Sequence, residues 1–502
     1  MNGEVFAFIL YFVLMLGIGV FFFFKGRGKN GEKEYFLGGR EMGPWVTAMS
    51  AQASDMSAWL LMGLPGSVMA FGLGQAWIGI GLALGTAANW IFVATRLRRF
   101  SKAADDSITL PQYLTNRFKS KNPVLQIICA IVFLVAFTIY VASGFSAGVT
   151  VFTTVFPSLD TSTALIIFAL IIIIYTFLGG FKAVCWTDFF QGLLMLVALL
   201  AVPIVIVATK NLDTSALTQV YEYVDAGKTV ECTFGTSVFG ASWQEIVTGL
   251  AWGLGYFGMP HILVRFMSIK KAGMVKKSAT VAIIWVVITL GAALVIAYFG
   301  RMFIAEELLP SGLQKTVFIA FARKLFPPFV AGILLAAIIA ASMSTADSQL
   351  LVASSSFTSD IYKPVLRKNA SEKELLWVGR IVVLVVSVIA YFIAASKGEG
   401  AQAIMNLVEN AWGLFGAAFG PVVILSLYWK RLTYSGAVAG ILTGAIVDVV
   451  WLVCLSSTGI YEILPGFVCG LIVTVIVSLL SKPVSKDVEE LFDMATDKNF
   501  ED

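Results

Sequence analysis

The sequence predicts an all-α protein that crosses a lipid bilayer about thirteen times. Hydrophobic residues occupy 58% of its 502 positions and charged residues only 13%, which leaves too little polar surface for a water-soluble domain of this length. The apolar residues form runs of roughly 20, the length of a helix that spans the hydrocarbon core. Because the runs lack strand-like alternation, we expect helices, which satisfy their own backbone hydrogen bonds in lipid, rather than a barrel.

The predicted spans follow one another along almost the whole chain. They lie near 5–24, 45–70, 73–95, 125–153, 161–180, 186–208, 241–263, 278–299, 326–354, 375–395, 403–429, 434–454 and 461–481. The first run is too long, and too weakly basic at its front, for a cleaved signal peptide, so we expect it to be retained as a span. Residues 482–502 predict a short cytoplasmic tail that is too small for a signalling domain.

Lysine and arginine residues predict how the spans are oriented. They concentrate in the first, third, seventh, ninth and eleventh loops; the first loop holds Arg27, Lys29, Lys33 and Arg40. Because basic loops stay in the cytoplasm, the pattern predicts a multi-pass protein of the plasma (inner) membrane, with its amino terminus outside and its carboxyl terminus in the cytoplasm. The eighth loop weakens the pattern through Arg301, Lys315, Arg323 and Lys324. The cytoplasmic loops account for the net charge of +4, which therefore does not indicate nucleic acid as a partner.

The second span carries polar residues where a lipid-embedded helix normally has none. Ser54, Asp55 and Ser57 lie inside its apolar run, ahead of a Gly- and Pro-containing segment at 63–66. A carboxylate at the bilayer centre costs at least about 2.5–3.5 kcal/mol on insertion scales. The cluster therefore indicates a site for an ion or a polar solute. The alternative is a structural acid that pairs with a basic neighbour.

The seventh span also contains residues that interrupt a helix. They are Gly249, Gly253, Gly255, Gly258 and Pro260. Broken helices at matching places in two halves are typical of a solute and ion site at the bilayer midplane. The alternative is that these glycines only allow neighbouring helices to pack closely.

The two interrupted spans divide the chain into two halves, each of which opens with a broken helix. One half is expected at about 45–208 and the other at about 241–429, with flanking helices at 5–24, 434–454 and 461–481. Residues 1–502 would thus form a single transporter domain with a short tail. Aromatic residues near the breaks, which usually serve packing or interface belts, include Trp252 and Tyr256 on one face of the broken helix.

The ninth span offers a second set of oxygen atoms. Ser344, Asp347 and Ser348 share one helical face at i, i+3, i+4 spacing. Sodium is a hard cation that favours hydroxyl, carbonyl and carboxylate oxygens, whereas calcium usually needs more carboxylates than this face offers. Asp188, near the start of the sixth span, is a further acid at or near membrane depth. It is either a site residue or the cap of a helix.

The sequence shows no nucleophile–His–Asp arrangement, P-loop or zinc motif. We therefore expect a transporter rather than an enzyme. A membrane sensor with a transporter-like part is the weaker alternative, because the chain has no evident soluble output domain.

Many segments between about residues 35 and 440 together resemble the solute:sodium symporter family. They are Leu37-Gly38-Gly39-Arg40, Ser54-Asp55-Met56-Ser57, Trp59 to Gly66, Thr138-Ile139-Tyr140, Gly179-Gly180-Phe181 with Trp186-Thr187-Asp188, Trp252 to Gly258, Pro260-His261-Ile262-Leu263, Met343-Ser344-Thr345 and Phe415 to Pro421. Each motif alone is short, but the set is specific.

The resemblance implies a LeuT-type fold of two inverted five-helix repeats with broken helices at the midplane. It implies import of L-proline by alternating access, with sodium as the co-transported ion. The implied sodium ligands are the backbone oxygens of Ala53, Met56 and Ala341 and the hydroxyls of Ser344 and Thr345. The implied solute-binding positions are Asp55, Ser57, Trp59, Tyr140, Trp252, Tyr256 and Pro260.

Three departures from the family's proline carriers are visible. Ala58 replaces a usual Gly and Met259 a usual Gln, which leaves pantothenate, a sugar, sialic acid or another amino acid as alternative solutes. Asp347 stands where those carriers have a small hydroxyl residue. We therefore hypothesise a second cation site formed by Asp188, Ser344, Asp347 and Ser348.

Overall fold

The structure is a computed structural model that describes residues 3–25, 31–212, 214–225, 228–397, 401–497 and 500. Arg27 and Lys29 of the basic first loop lie outside these residues. The described part of the chain consists of α-helices, short 3-10 and π-helical segments and one small sheet. The all-α expectation is therefore confirmed, apart from a single hairpin.

The first part of the chain contains nine α-helices. They are α1 (Gly3–Lys25), α2 (Glu32–Leu37), α3 (Pro44–Met56), α4 (Gly63–Phe71), α5 (Ala76–Ala88), α6 (Thr95–Ala103), α7 (Leu110–Arg117), α8 (Val124–Val155) and α9 (Thr161–Thr209). Helical turns at Gly38–Arg40, Ala58–Leu60, Leu73–Gln75 and Asn89–Ala94 connect or extend them.

The hairpin follows α9 and consists of β1 (Tyr221–Asp225) and β2 (Lys228–Cys232). The strands pair antiparallel, with Tyr221 opposite Cys232. Arg301 is fully buried and donates hydrogen bonds to the carbonyl oxygens of Gln219 and Cys232, the second at 3.0 Å. The guanidinium thus holds the hairpin against the helices.

Eleven further α-helices follow among the residues that the structure describes. They are α10 (Trp243–Ala251), α11 (Pro260–Ser268), α12 (Val275–Phe303), α13 (Ala305–Leu308), α14 (Val317–Leu325), α15 (Pro328–Phe357), α16 (Glu372–Lys397), α17 (Ala401–Tyr428), α18 (Tyr434–Cys454), α19 (Ile463–Leu480) and α20 (Lys486–Thr496). Helical turns lie at Ser215–Thr218, Val238–Gly240, Trp252–Phe257, Ala272–Met274, Gln314–Thr316, Thr358–Leu366 and Ser456–Thr458.

Ten helical segments among the described residues are long and apolar enough to cross a membrane, or eleven if the bent pair α10–α11 counts as one span. The predicted second and fifth spans fall short because their apolar helices, Ala58–Phe71 and Thr161–Ile174, are shorter. The predicted fifth and sixth spans both lie within α9, where two helices meet at a kink at Gly180 (φ 63°, ψ 177°). The total of about thirteen spans therefore stays a prediction.

Helix α15 lies at the centre of the bundle and packs against α1, α3, α8, α9 and α16. Every residue from Leu334 to Ser356 is buried, including the polar residues of the predicted ion face. Because a helix this buried does not face lipid, its hydroxyl and carboxylate groups face other helices. Helix α17 packs against α8, α18, α19 and the turn Trp252–Phe257.

The loops beside α2, α6 and α11 are tied together by charged side chains. Arg40 donates to Asp106 at 2.9 Å and to the carbonyl oxygen of Met267 at 2.5 Å, and Lys33 pairs with Asp106. Burial alone would raise the pKa of Asp106, but Lys33, Arg40 and Lys102 together hold it below its usual value. Asp106 therefore stays ionised at neutral pH and keeps these loops together.

Candidate functional site

The chain changes direction at Ser57, between α3 and α4. Ser57 adopts φ 48° and ψ −174°, a conformation that costs a residue other than glycine about 1–3 kcal/mol. Its Oγ accepts a hydrogen bond from the Trp59 backbone N–H at 3.1 Å. Because α3 ends at Met56, the carbonyl groups of its last turn lack intrahelical partners. The break thus brings free backbone oxygen into the bundle.

The second break lies between α10 and α11. The turn Trp252–Phe257 is 3-10 rather than α-helical. The segment Trp243–Phe257, which includes this turn, differs in direction from Pro260–Ser268 by 44°. A Cβ atom at Gly258 would lie 2.1 Å from the Phe415 carbonyl oxygen, and one at Gly253 would lie 2.4 Å from that of Gly81. The close-packing interpretation therefore holds at these glycines, and the helix is broken as well.

A small cavity lies between the two breaks. Its lining consists of Asp55, Met56, Ser57, Trp59, Leu82, Tyr140, Trp252, Tyr256, Val408 and Trp412. Six of the seven predicted solute positions line it. The seventh, Pro260, instead forms the first turn of α11.

Aromatic rings form one wall of the cavity. Trp59 stacks on Trp252 with ring centroids 5.6 Å apart and planes 26° apart. Trp412 donates from Nε1 to the Trp252 carbonyl oxygen at 2.8 Å, and its ring meets the Tyr256 ring edge-on at 5.1 Å. These contacts fix the rings, so the wall is preformed.

Asp55 supplies the carboxylate of the cavity. It is buried, and its Oδ2 accepts a hydrogen bond from the Tyr256 hydroxyl at 2.5 Å. It forms no ion pair with any Lys or Arg among the residues described. The alternative of a structural salt bridge thus finds no support there, and the carboxylate is available to a positively charged guest.

The predicted sodium ligands lie where α15 passes the end of α3. The Ser344 hydroxyl donates to the Ala53 carbonyl oxygen at 2.8 Å and contacts that of Ala341 at 3.2 Å. Thr345 Oγ1 is buried without a hydrogen-bond partner, and Met56 both ends α3 and lines the cavity. An unsatisfied buried hydroxyl costs about 1–3 kcal/mol, so a bound cation would satisfy it. The structure thus brings Ala53, Ala341 and Ser344 together at one junction.

Asp188 and Ser348 of the hypothesised second site contact Arg265 on α11. Its Nη2 lies 3.2 Å from Asp188 Oδ2 and also donates to Ser348 Oγ. Asp188 Oδ1 and Asp347 Oδ2 are buried without partners. Two carboxylates and one guanidinium leave one net negative charge when both acids are ionised. Asp188 lies within α9, well past its first turn, so the capping interpretation is wrong.

Sequence reasoning missed several residues of the two sites. Leu82, Val408 and Trp412 line the cavity, and Arg265 pairs with Asp188. Arginine in an apolar run is a usable signal, because such a residue needs an acidic partner. The three lining residues carry no local signal, since apolar and aromatic residues in spans are common.

The family model described as "Sodium:solute symporter family" matches residues 35–444. A protein of Staphylococcus saprophyticus named sodium/proline symporter 2 is 46% identical over 485 residues, covering 94% of this chain and 92% of its own length. A sodium/proline symporter of Haemophilus influenzae is 43% identical over 502 residues, covering 98% of both chains.

Two solved structures are similar in fold. A sodium-coupled sialic acid symporter in a substrate-bound outward-open state has a TM-score of 0.75 at 20% sequence identity, covering 97% of this chain and 99% of its own. Mhp1, a nucleobase-cation-symport-1 family transporter, was solved in a closed conformation with bromovinylhydantoin. It has a TM-score of 0.54 at 13% identity, covering 93% of this chain and 99% of its own.

Proposed function

This chain belongs to the sodium:solute symporter family, and we propose that it is a carrier that imports L-proline together with sodium by alternating access. Its relatives are transporters and not enzymes, and its fold is the LeuT type that the sequence predicted. The observation that supports this proposal most strongly is the small cavity between the two broken helices, with Asp55 at its wall and the Ser344–Ala53 contact beside it.

Proline fits the chemistry of this cavity. Its ammonium group would pair with Asp55 and with free carbonyl oxygens of the break, and its carboxylate would face the amino end of a half-helix such as α11. Its apolar ring would lie against Trp59, Tyr140 and Trp252. Ser57 would supply a hydroxyl for orientation, and Pro260 would hold the start of α11 in place.

Sodium would bind where α15 meets the end of α3. Its ligands would be the backbone oxygens of Ala53, Met56 and Ala341 and the hydroxyls of Ser344 and Thr345. A cation there fixes the gap between the two helices and so organises the adjacent cavity. Coupling of this kind is reciprocal, so proline must also tighten sodium. At 100 mV one sodium ion supplies about 2.3 kcal/mol, enough for roughly fifty-fold accumulation.

A second cation would bind at Asp188, Ser344, Asp347 and Ser348, beside Arg265. The two unpartnered carboxylate oxygens and the net charge of this cluster support that proposal. One monovalent cation would neutralise the cluster without displacing the guanidinium.

We also propose the predicted orientation, with the amino terminus outside and the carboxyl terminus in the cytoplasm of a plasma (inner) membrane. The basic residues of the eighth loop are the main argument against this orientation, yet two of them pair with acidic side chains of this chain. Arg323 pairs with Glu4 at 2.7 Å and Lys324 pairs with Glu307. The repeats would cover about 45–208 and 241–429. The tail at 482–502 contains α20, which packs on α6 through Phe492 and Phe100.

Reconstituted uptake tests this function directly. In proteoliposomes with an inward sodium gradient, we expect labelled proline to accumulate, because sodium organises the cavity and supplies the driving force. Equal accumulation when potassium replaces all sodium would contradict the proposal. Competition by excess pantothenate, sialic acid, sugars and other amino acids identifies the solute if proline itself is a poor substrate.

Substitutions in the aromatic wall are expected to weaken the affinity for proline more than the affinity for sodium. We expect Trp59→Ala and Tyr140→Ala to raise the KM for proline about tenfold or more, since about 1.4 kcal/mol of lost contact equals a factor of ten. Half-saturation by sodium should change much less. Trp377→Ala is the matched control, because Trp377 lies half exposed on the outside of the bundle. Equal losses in both affinities would argue against an aromatic solute pocket.

A further inference from the structure

Three acidic side chains lie around Tyr461, behind the aromatic wall of the cavity and outside both sites described above. They are Glu409 on α17, Asp448 on α18 and Glu462 just before α19. All three interact electrostatically with Tyr461. The Tyr461 hydroxyl donates to the Glu409 carbonyl oxygen at 2.7 Å, and its ring lies 5.1 Å from that of Trp252 in the cavity wall.

Two oxygens of this cluster have no hydrogen-bond partner. Asp448 is 1% exposed and Glu462 6% exposed, and the unpartnered atoms are Asp448 Oδ1 and Glu462 Oε1. A Cβ atom at Gly413 would lie 3.0 Å from the first and 3.4 Å from the second. The two oxygens therefore converge on one point, which the missing side chain of Gly413 leaves open.

The cluster has no internal countercharge. Within the described ranges, none of Glu409, Asp448 and Glu462 forms an ion pair with Lys or Arg. Buried carboxylates without a partner are strongly destabilising when ionised, so the arrangement calls for a positively charged ligand. Carboxylate oxygen is a hard donor, which suits sodium. Calcium takes six to eight oxygens, and the described residues contain no group of three His, Cys, Asp or Glu side chains with metal-binding geometry.

We propose that Asp448 and Glu462 bind a sodium ion between their unpartnered oxygens, with Glu409 as a supporting charge. This site goes beyond the proposed transport function, because it is separate from the ligands on α3 and α15. Its two ligands lie on α18 and directly before α19, the helices that flank the two proposed repeats, so we expect the ion to stay bound during transport. Tyr461 connects its occupancy to Trp252 and hence to the solute cavity.

Counting bound sodium tests the site. Equilibrium binding of radioactive sodium to the purified full-length carrier at pH 8.5 should show one ion fewer for the double variant Asp448→Asn/Glu462→Gln than for the unmodified protein. Glu222→Gln, which removes an exposed carboxylate of the hairpin, should leave the count unchanged. The sodium-to-proline ratio from reversal potentials should be the same in all three proteins, because the ion is not transported.

A second variant covers the case in which the double variant fails to fold. Gly413→Ala places a methyl group at the point of convergence without changing any charge, and it should lower sodium binding at this site at least tenfold. An unchanged sodium count in both variants would overturn the proposal. A count that is unchanged while proton uptake differs would also overturn it, since the carboxyl groups would then hold only protons. Both outcomes are independent of whether the unmodified carrier accumulates proline.

Discussion

Asp55→Asn is expected to abolish sodium-driven proline uptake while leaving the carrier folded in the membrane. The substitution keeps the size of the side chain, and the amide oxygen can still accept the hydrogen bond from Tyr256. What it removes is the negative charge that would face the ammonium group of proline and stabilise sodium nearby. Removing one partner of a buried charge pair costs about 2–5 kcal/mol, so we expect uptake to fall about thirtyfold or more.

The measurement is initial uptake of labelled proline in proteoliposomes over a range of sodium concentrations, with the amount of inserted carrier determined in parallel. Tyr256→Phe is the matched control, because it removes only the hydroxyl that donates to Asp55. We expect this variant to keep sodium-dependent uptake with a reduced proline affinity. Near-normal uptake by Asp55→Asn at low sodium would refute the role of the carboxylate.

Much of this site was predictable because its polar residues are exceptional in their surroundings. Asp55 and Ser344 lie in long apolar runs, where a charge or a patterned set of hydroxyls carries a large energetic cost unless it serves a site. Helix breaks are similarly local, since Gly and Pro act on the backbone beside them. Local signals of this kind predict both broken helices and a site at Asp55, whereas the aromatic lining residues follow from the family resemblance.

The remaining parts depend on contacts between residues that are distant in the chain. Trp412 enters the site because its indole N–H reaches the Trp252 carbonyl oxygen, 160 residues away. Arg265 on α11 pairs with Asp188 on α9. In the sequence, Arg301 is one of the eighth-loop residues that weaken the orientation pattern. In the structure its buried side chain holds the hairpin by donating to backbone carbonyl oxygens.

The second prediction with a large expected effect concerns the number of sodium ions transported with each proline. Reversal potentials in proteoliposomes are expected to give two sodium ions per proline for the unmodified carrier, and one for Asp347→Ser. The physical reason is charge balance. With Asp347 replaced by a neutral hydroxyl residue, Asp188 and Arg265 form a neutral pair, and nothing remains to attract a second cation. Loss of one driving ion at 100 mV removes about 2.3 kcal/mol, which lowers maximal accumulation roughly fifty-fold.

Asp188→Asn is the informative contrast, because it removes the other carboxylate of the same cluster. Arg265 would then be left buried beside one weakly placed acid, and breaking a buried pair in this way costs about 3–5 kcal/mol. We therefore expect poor folding or low thermal stability from Asp188→Asn, but normal stability and altered stoichiometry from Asp347→Ser. A ratio of one in the unmodified carrier would remove the second cation from the mechanism. A ratio of two that persists in Asp347→Ser would show that Asp347 is not a ligand of the second cation. Repeating the reversal-potential measurements on both proteins at pH 6.5 and 8.5 separates a bound sodium ion from a bound proton.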